Sequence, residues 1–256
     1  MNSFLHITWC LNGPLSFLPL HAAGIYTSGY IQGSRLSEFV LSSYIPSLAT
    51  LENCQQPRMK PIPKLLTVAL PVESTLSSSE GEISSIRTIL GPNVIQELFE
   101  KQATVENVKE AMFECGFVHF ACHGEQNTSD PLQSAILLAN GTRLTLDEII
   151  KLKLPHGQLA FLSACQTATG DQKLPEEAIH LAAGMLVAGY RGVVATMWSI
   201  HDDDAPIVAK EFYKYLWKGG SPDVKQAAYA LHYAVEKLRM KPTSFLQWVP
   251  FIHMGI

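Results

Sequence analysis

Short runs of apolar residues recur along the chain, and each is bounded by residues that favour turns, such as Gly, Pro, Asn and Ser. Runs of this kind are typical of parallel strands that are buried on both faces of a sheet. Apolar residues at helical spacing lie between several of them. The pattern therefore predicts a three-layer α/β/α sandwich around a mostly parallel sheet. Strands are predicted at residues 65–70, 135–138 and 193–198 and within 117–124 and 159–170, and helices at 82–90, 104–115, 146–152, 176–188, 206–218 and 222–240.

Local signals complete the predicted order of elements. Residues 1–24 are expected to form a β-hairpin, because an Asn-Gly turn separates two apolar runs. The serine-rich residues 74–81 are expected to form a flexible loop. Residues 245–252 carry a mixed apolar pattern that predicts an edge strand. Helix N-caps are predicted at Ser43 or Ser47, at Thr104 and at Ser221, and a capping box at Thr145 with Glu148.

Two of the apolar runs lead to reactive side chains. The run FVHFAC is followed by His123 and Gly124, and the run LAFL is followed by Ser-Ala and Cys165. In open parallel sheets, catalytic groups gather beyond the carboxyl ends of the strands. An imidazole there can take the proton of a thiol, and the thiolate is the nucleophilic form. The sequence therefore predicts a dyad of His123 and Cys165, beside which the backbone N–H of Gly124 can approach a substrate oxyanion.

Each of these residues also has a purely structural interpretation. A cysteine in an apolar strand is more often a small core residue, and a histidine after such a run is more often a satisfied core residue. The occurrence of both at strand ends favours catalysis. A third hypothesis is a redox sensor that uses Cys122 beside His123, although strand alternation predicts that Cys122 points into the core.

Composition argues against several classes of protein. The chain has 256 residues, of which 47% are hydrophobic and 16% charged, and this indicates a sizeable core rather than disorder. A formal net charge of −4 without a basic run argues against nucleic acid as a partner. The five cysteines form no CxxC pair and indicate reduced thiols, so we expect the cytoplasm, with the nucleus as the alternative. The histidines lack metal-site spacing and no apolar stretch is long enough to span a membrane, so we expect no metal, no other cofactor and no membrane partner.

Longer stretches of the chain resemble the CHAT domain family, a caspase-like module of the clan that also holds separases, caspases and metacaspases. The resemblance covers nearly the whole chain and implies a caspase-like fold. The stretches that carry it are LSFLPLHAAG (15–24), SYIPSLATL (43–51), HFACHG (119–124), DPLQSAILLANGTRLTLDEI (130–149), LSACQTATGD (162–171) and HLAAGMLVAGYRGVVATMWSIHDDDAP (180–206).

The resemblance implies a cysteine endopeptidase that acts on protein or peptide substrates in intracellular signalling or regulated proteolysis. His123 matches the family's general base and Cys165 its nucleophile, while Gly124 and the Cys165 amide match its oxyanion hole. CHAT domains usually follow TPR-type repeats, so we expect a TPR-type repeat region in a longer parent chain. Residues 1–256 are expected to form a single domain, with 1–64 as an N-terminal subregion and 65–256 as the catalytic core.

An acidic cluster follows the predicted strand at residues 193–198. Asp202, Asp203 and Asp204 either cap the next helix, whose dipole favours carboxylates, or form a cleft wall that selects Lys or Arg before the scissile bond. The resemblance implies the second role, because separases and metacaspases have acidic pockets. A competing hypothesis for the whole chain is a catalytically silent interaction module in a signalling assembly.

Overall fold

The computed structural model describes residues 4–26, 31–57, 59–70, 76–125, 127, 129–163, 176–201 and 203–256. Strands and helices alternate along most of this part of the chain. The strands are β1 (Leu5–Trp9), β2 (Val40–Tyr44), β3 (Leu65–Ala69), β4 (Ile95–Phe99), β5 (Phe117–Ala121), β6 (Gly124–Glu125), β7 (Ala135–Leu137), β8 (Arg143–Thr145), β9 (Leu159–Leu162), β10 (Gly192–Thr196) and β11 (Phe251–Gly255). The helices are α1 (Leu48–Gln55), α2 (Leu76–Leu90), α3 (Val105–Glu114), α4 (Leu146–Lys151), α5 (Glu176–Ala188), α6 (Asp204–Leu216), α7 (Ala227–Arg239) and α8 (Phe245–Trp248).

The large sheet has the strand order β1-β2-β11-β10-β9-β5-β3-β4 among the described residues. The strands from β10 to β4 are all parallel to one another. β11 is antiparallel to β10, and β2 and β1 run parallel to β11. The predicted mostly parallel sheet is confirmed. The carboxyl ends of its five parallel strands, including β5 and β9, therefore lie at the same edge.

Helices cover both faces of the large sheet. One face packs against α1, α3, α4 and α5, with side chains such as Met112 and Ile149 in the core. The other packs against α2, α6, α7 and α8, with Ile86 and Phe212 in the core. The predicted α/β/α sandwich is confirmed, and its physical basis is the apolar side chains that each strand directs to both faces.

Local capping signals are among the features that the sequence predicted correctly. The side chain of Ser47 accepts a hydrogen bond from the Thr50 amide at the start of α1, and Thr104 does the same for Asn107 at the start of α3. Thr145 and Glu148 form the predicted capping box of α4. Each cap satisfies amides that the first helical turn leaves without a partner.

The predicted β-hairpin at residues 1–24 is wrong. β1 pairs in parallel with β2, and residues Gly13–Phe17 form a 3₁₀ helix. Pro14 accounts for the difference, because it has no N–H for a hairpin ladder and its fixed φ suits the first turn of a helix.

Three further expectations about elements are corrected. The serine-rich loop predicted at 74–81 is wrong for residues 76–81, which belong to α2, because the burial of Ile83 and Ile86 outweighs the modest helix propensity of serine. The edge strand predicted at 245–252 is wrong, because a capping box at Ser244 starts α8 and β11 then lies inside the sheet. Asp223 rather than Ser221 caps the start of the helical segment that leads into α7.

In the ranges that the structure describes, no helix combines the length and the apolar character that a membrane crossing requires.

Candidate active site

β5 and β9 are neighbouring parallel strands, as the predicted site requires. Phe117 lies opposite Leu159 and Phe120 lies opposite Leu162. The backbone N–H of Ser163 donates to the carbonyl of Phe120 at 2.9 Å, which extends the ladder one residue beyond β9. The two strands therefore end at the same level of the sheet edge.

His123 follows β5 by two residues and is half-buried. Its backbone carbonyl accepts a hydrogen bond of 2.8 Å from the Leu137 amide. This bond lies at one end of a small antiparallel sheet that is formed by β6, β7 and β8. The small sheet thus holds the His123 backbone just beyond the edge at which the parallel strands end.

Gly124 is the first residue of β6 and lies opposite Ile136 of β7. The flanking bond between His123 and Leu137 makes this a non-hydrogen-bonded pair, so the Gly124 N–H takes no part in the ladder between β6 and β7. A backbone N–H beside the histidine, on a half-buried residue without a Cβ, has the properties of an oxyanion donor.

Cys165, together with its amide, lies outside the described residues. Ser163 is the last described residue before it, and its side chain is buried. The structure thus describes the base and one oxyanion donor of the predicted site, and the strand that leads to the nucleophile.

A buried polar cluster underlies the ends of β5 and β9. The hydroxyl of Ser163 donates to Oε2 of Glu82 in α2 at 3.0 Å. The other carboxylate oxygen of Glu82 lies 3.2 Å from Nε2 of His119 in β5, a contact at ion-pair distance whose geometry is not that of an aligned hydrogen bond. Nδ1 of His119 lies 3.0 Å from the hydroxyl of Tyr213 in α6. The four side chains are almost fully inaccessible to solvent.

Sequence reasoning missed this cluster, although one signal was present. His119 interrupts the apolar run of β5, and a polar side chain inside a buried strand requires hydrogen-bond partners on other elements. The partners come from α2, β9 and α6, so their identity depends on tertiary packing.

Three of the other four cysteines are buried. Cys54, Cys115 and Cys122 have at most 5% of their surface exposed, whereas Cys10 is partly exposed. The Cys122 thiol donates to the carbonyl of Val68 at 3.3 Å, and burial raises its pKa. The prediction that Cys122 points into the core is confirmed. Its protonated, enclosed thiol is poorly suited to the redox role that the sequence left open.

The two described residues of the acidic cluster, Asp203 and Asp204, differ in their exposure to solvent. Asp203 is exposed and precedes α6, but its side chain makes no capping hydrogen bond. Asp204 is buried, and its Oδ2 accepts a hydrogen bond of 3.0 Å from Gln247 of α8. Asp202 lies outside the described residues. Among the described members of the cluster, Asp204 is thus enclosed against α8, and the carboxylate of Asp203 is the one exposed to solvent.

Within the described ranges, no group of three or more His, Cys, Asp or Glu side chains has an arrangement that could hold a metal ion.

Comparisons with known proteins agree with this architecture. A scan against protein-family models matches the CHAT domain over residues 1–256. A search of curated protein sequences found no match.

Among solved structures, the chain is similar to two caspase-like cysteine peptidases. The Saccharomyces cerevisiae separase–securin complex matches with a TM-score of 0.63 and 17% identity over 100% of this chain and 16% of that chain. The Arg-specific cysteine proteinase gingipain R matches with a TM-score of 0.59 and 11% identity over 84% of this chain and 54% of that chain. A complex of the Porphyromonas gingivalis RgpB pro- and mature domains matches with a TM-score of 0.55 and 10% identity over 84% of this chain and 55% of that chain. The chain thus spans about half of the gingipain chains and a sixth of separase, and these likenesses show the fold.

Proposed function

Because the chain belongs to the CHAT domain family and has the fold of caspase-like cysteine peptidases, we propose that it is a cysteine endopeptidase that uses His123 and Cys165 as a catalytic dyad. Its substrates in this proposal are proteins or peptides.

The register of β5 and β9 is the observation that carries the proposal. The residues of β5 from Phe117 to Phe120 each lie opposite the residue 42 positions later in β9, as for Phe117 and Leu159 (159 − 117 = 42). Cys165 follows His123 by the same 42 positions in the sequence (165 − 123 = 42). In this proposal the same offset continues beyond the strand ends, which lie about 4.8 Å apart, and brings the Cys165 thiol within hydrogen-bond reach of His123.

The proposed reaction proceeds through a covalent intermediate. His123 takes the proton of the Cys165 thiol, and the thiolate forms a bond to the scissile carbonyl carbon. The Gly124 amide, together with the Cys165 amide, donates to the oxyanion that develops on the carbonyl oxygen. His123 then gives its proton to the leaving amine, and a water molecule hydrolyses the resulting thioester.

A basic residue before the scissile bond is the proposed substrate preference. Asp203 supports it, because its exposed carboxylate follows β10, whose carboxyl end lies at the same sheet edge as those of β5 and β9. A guanidinium can pair with such a carboxylate through two charge-assisted hydrogen bonds. Gingipain R, which shares the fold, is itself described as Arg-specific.

The direct test is cleavage of a peptide library by the wild type and by Cys165→Ala and His123→Ala. Each substitution is expected to lower kcat/KM by about a thousandfold or more, and the double variant to lose little more, because the two residues act as a unit. Cys10→Ala and His156→Ala are matched controls, because these partly exposed residues lie outside the site, and both should keep wild-type activity.

Site-resolved alkylation separates the enzyme from a non-catalytic interaction module with the same fold. An activated thiol reacts faster than an ordinary one, so Cys165 should label faster than Cys10 and lose that advantage in His123→Ala. Absence of cleavage by the wild type, together with labelling of Cys165 no faster than Cys10, would contradict the proposed activity.

A further inference from the structure

We propose that Glu82 is a positioning residue whose carboxylate ties the end of β9 to β5 and thereby fixes the relative placement of the two strands that lead to Cys165 and His123. This inference rests on the proposed peptidase function and adds to it a residue outside the dyad. Glu82 belongs to α2, far in sequence from both strands, and only 3% of its surface is exposed.

The two carboxylate oxygens of Glu82 face different strands. Oε2 accepts the hydroxyl hydrogen of Ser163, two residues before Cys165 in the sequence. Oε1 lies next to the imidazole of His119, four residues before His123. A single buried side chain therefore contacts both strands where they approach the proposed dyad.

The hydrogen-bond roles in the cluster are mutually consistent. With an ionised Glu82, His119 carries its proton on Nε2, so its Nδ1 accepts from the hydroxyl of Tyr213. Burial raises the pKa of Tyr213 well above its usual range, which keeps that hydroxyl a donor. Phe161 of β9 stacks on the His119 ring with centroids 4.8 Å apart. Each group in the chain of contacts limits the movement of the next.

Core packing alone does not account for a carboxylate at this position. Enclosing a carboxylate in a protein interior is costly unless polar partners surround it, and an apolar side chain of similar volume often replaces a buried charged group without loss of stability. A buried polar cluster that joins several elements instead restricts how those elements can be arranged. Small displacements of reacting groups reduce rates strongly, so a fixed arrangement at this place bears on catalysis.

Glu82→Ala and Glu82→Gln form the central pair of variants. Alanine removes both contacts. Glutamine keeps both contacts, because its side-chain oxygen can accept from Ser163 and its NH₂ group can donate to Nε2 of His119. The imidazole of His119 then carries its proton on Nδ1, which donates to the hydroxyl oxygen of Tyr213. Ile86→Ala is the matched control, because Ile86 is fully buried one turn later on α2 and its side chain carries no polar atom that could link the strands.

Two measurements on these variants test the inference. The first is hydrogen exchange at the Ser163 amide, which donates to Phe120 across the two strands. Glu82→Ala should accelerate it about tenfold or more relative to Ile86→Ala, whereas Glu82→Gln should remain near the wild type. The second is peptide cleavage, in which Glu82→Ala should lower kcat by about tenfold to a hundredfold with KM within about twofold of the wild type.

A purely structural role for Glu82 predicts a different result. Glu82→Ala and Ile86→Ala would then show the same Ser163 exchange and the same kcat, and this outcome would overturn the inference. If Glu82→Ala does not fold, Ser163→Ala removes only the link to β9 and should lower kcat in the same direction. If the wild type cleaves no peptide, the peptidase proposal fails, and Ser163 exchange by itself decides whether Glu82 holds the strand ends together.

Discussion

Asp203 is the single described side chain on which the proposed preference for a basic residue depends. Neutralising it in Asp203→Asn should lower kcat/KM for an Arg peptide about fivefold or more and leave a matched neutral peptide unchanged, because a charge-assisted pair contributes on the order of 1–3 kcal/mol. Glu106→Gln is the control, since Glu106 is an exposed carboxylate in the first turn of a different helix. Equal cleavage of both peptides by the wild type would end this proposal.

At the scale of single residues, the sequence predicts hydrogen bonds between residues close in sequence well and contacts between distant residues poorly. Thr145 and Glu148 were recognisable as a capping box, because both partners lie within one helical turn. The hydrogen bond between Asp204 and Gln247 could not be predicted, because the two residues lie 43 positions apart. The cluster around His119 was missed for the same reason, and only the anomaly of a histidine within a buried strand pointed to it.

Replacing each of two glycines by alanine should change the stability of the protein in opposite directions. A Cβ on Gly116, which precedes β5, would lie 2.3 Å from the Ile62 carbonyl oxygen, so Gly116→Ala should lower the free energy of unfolding by about 2 kcal/mol. A Cβ on Gly81 within α2 meets nothing within 4 Å, so Gly81→Ala should raise it by about 0.5–1 kcal/mol. Urea unfolding of the two variants measures both changes, and a shift of the same sign in each would refute the argument.

At the scale of elements, buried strands and long helices could be predicted because their patterns are local. α5 has the predicted bounds, Glu176–Ala188, and Gly189 follows it with φ of 127°. Strand partners could not be predicted in the same way. β11 has an apolar pattern that fits an edge or an interior position, and only packing places it between β2 and β10.

Two histidines, the half-buried His21 and the buried His253, make the stability of the whole molecule dependent on pH. His21 donates from Nε2 to the Val249 carbonyl at 2.8 Å and accepts from the Tyr44 hydroxyl at 2.7 Å, so its ring is neutral. Burial lowers the pKa of His21 to about 4, despite the opposing effect of that carbonyl. Burial also lowers the pKa of His253 to about 3, assisted by nearby His6.

The sign of the pH effect follows from these directions. Above the unfolded pKa of about 6.5 both states hold neutral rings, and below it the unfolded state binds protons that the folded state excludes. The free energy of unfolding should therefore fall from about pH 6.5 down to about pH 4, with a slope approaching 1.4 kcal/mol per pH unit for each of the two rings. Urea unfolding between pH 7.5 and 4.5 measures this slope. It should be shallower in His21→Gln, and a flat wild-type profile would contradict the assignment.

The position of β11 in the sheet has a consequence for how a nascent chain folds during translation. Ser43 of β2 contacts His253 of β11 across 210 positions of sequence, and β11 stands between β2 and β10. While a ribosome synthesises the chain, β3, β5, β9 and β10 can pair in turn as each emerges. The pair of β1 and β2 precedes the other strands of the large sheet, yet it can join them only after β11 has emerged, so the side chains of β2 that the fold buries stay uncovered until then. Uncovered strands of this kind are prone to aggregate, so a chaperone would act at this pair until β11 emerges.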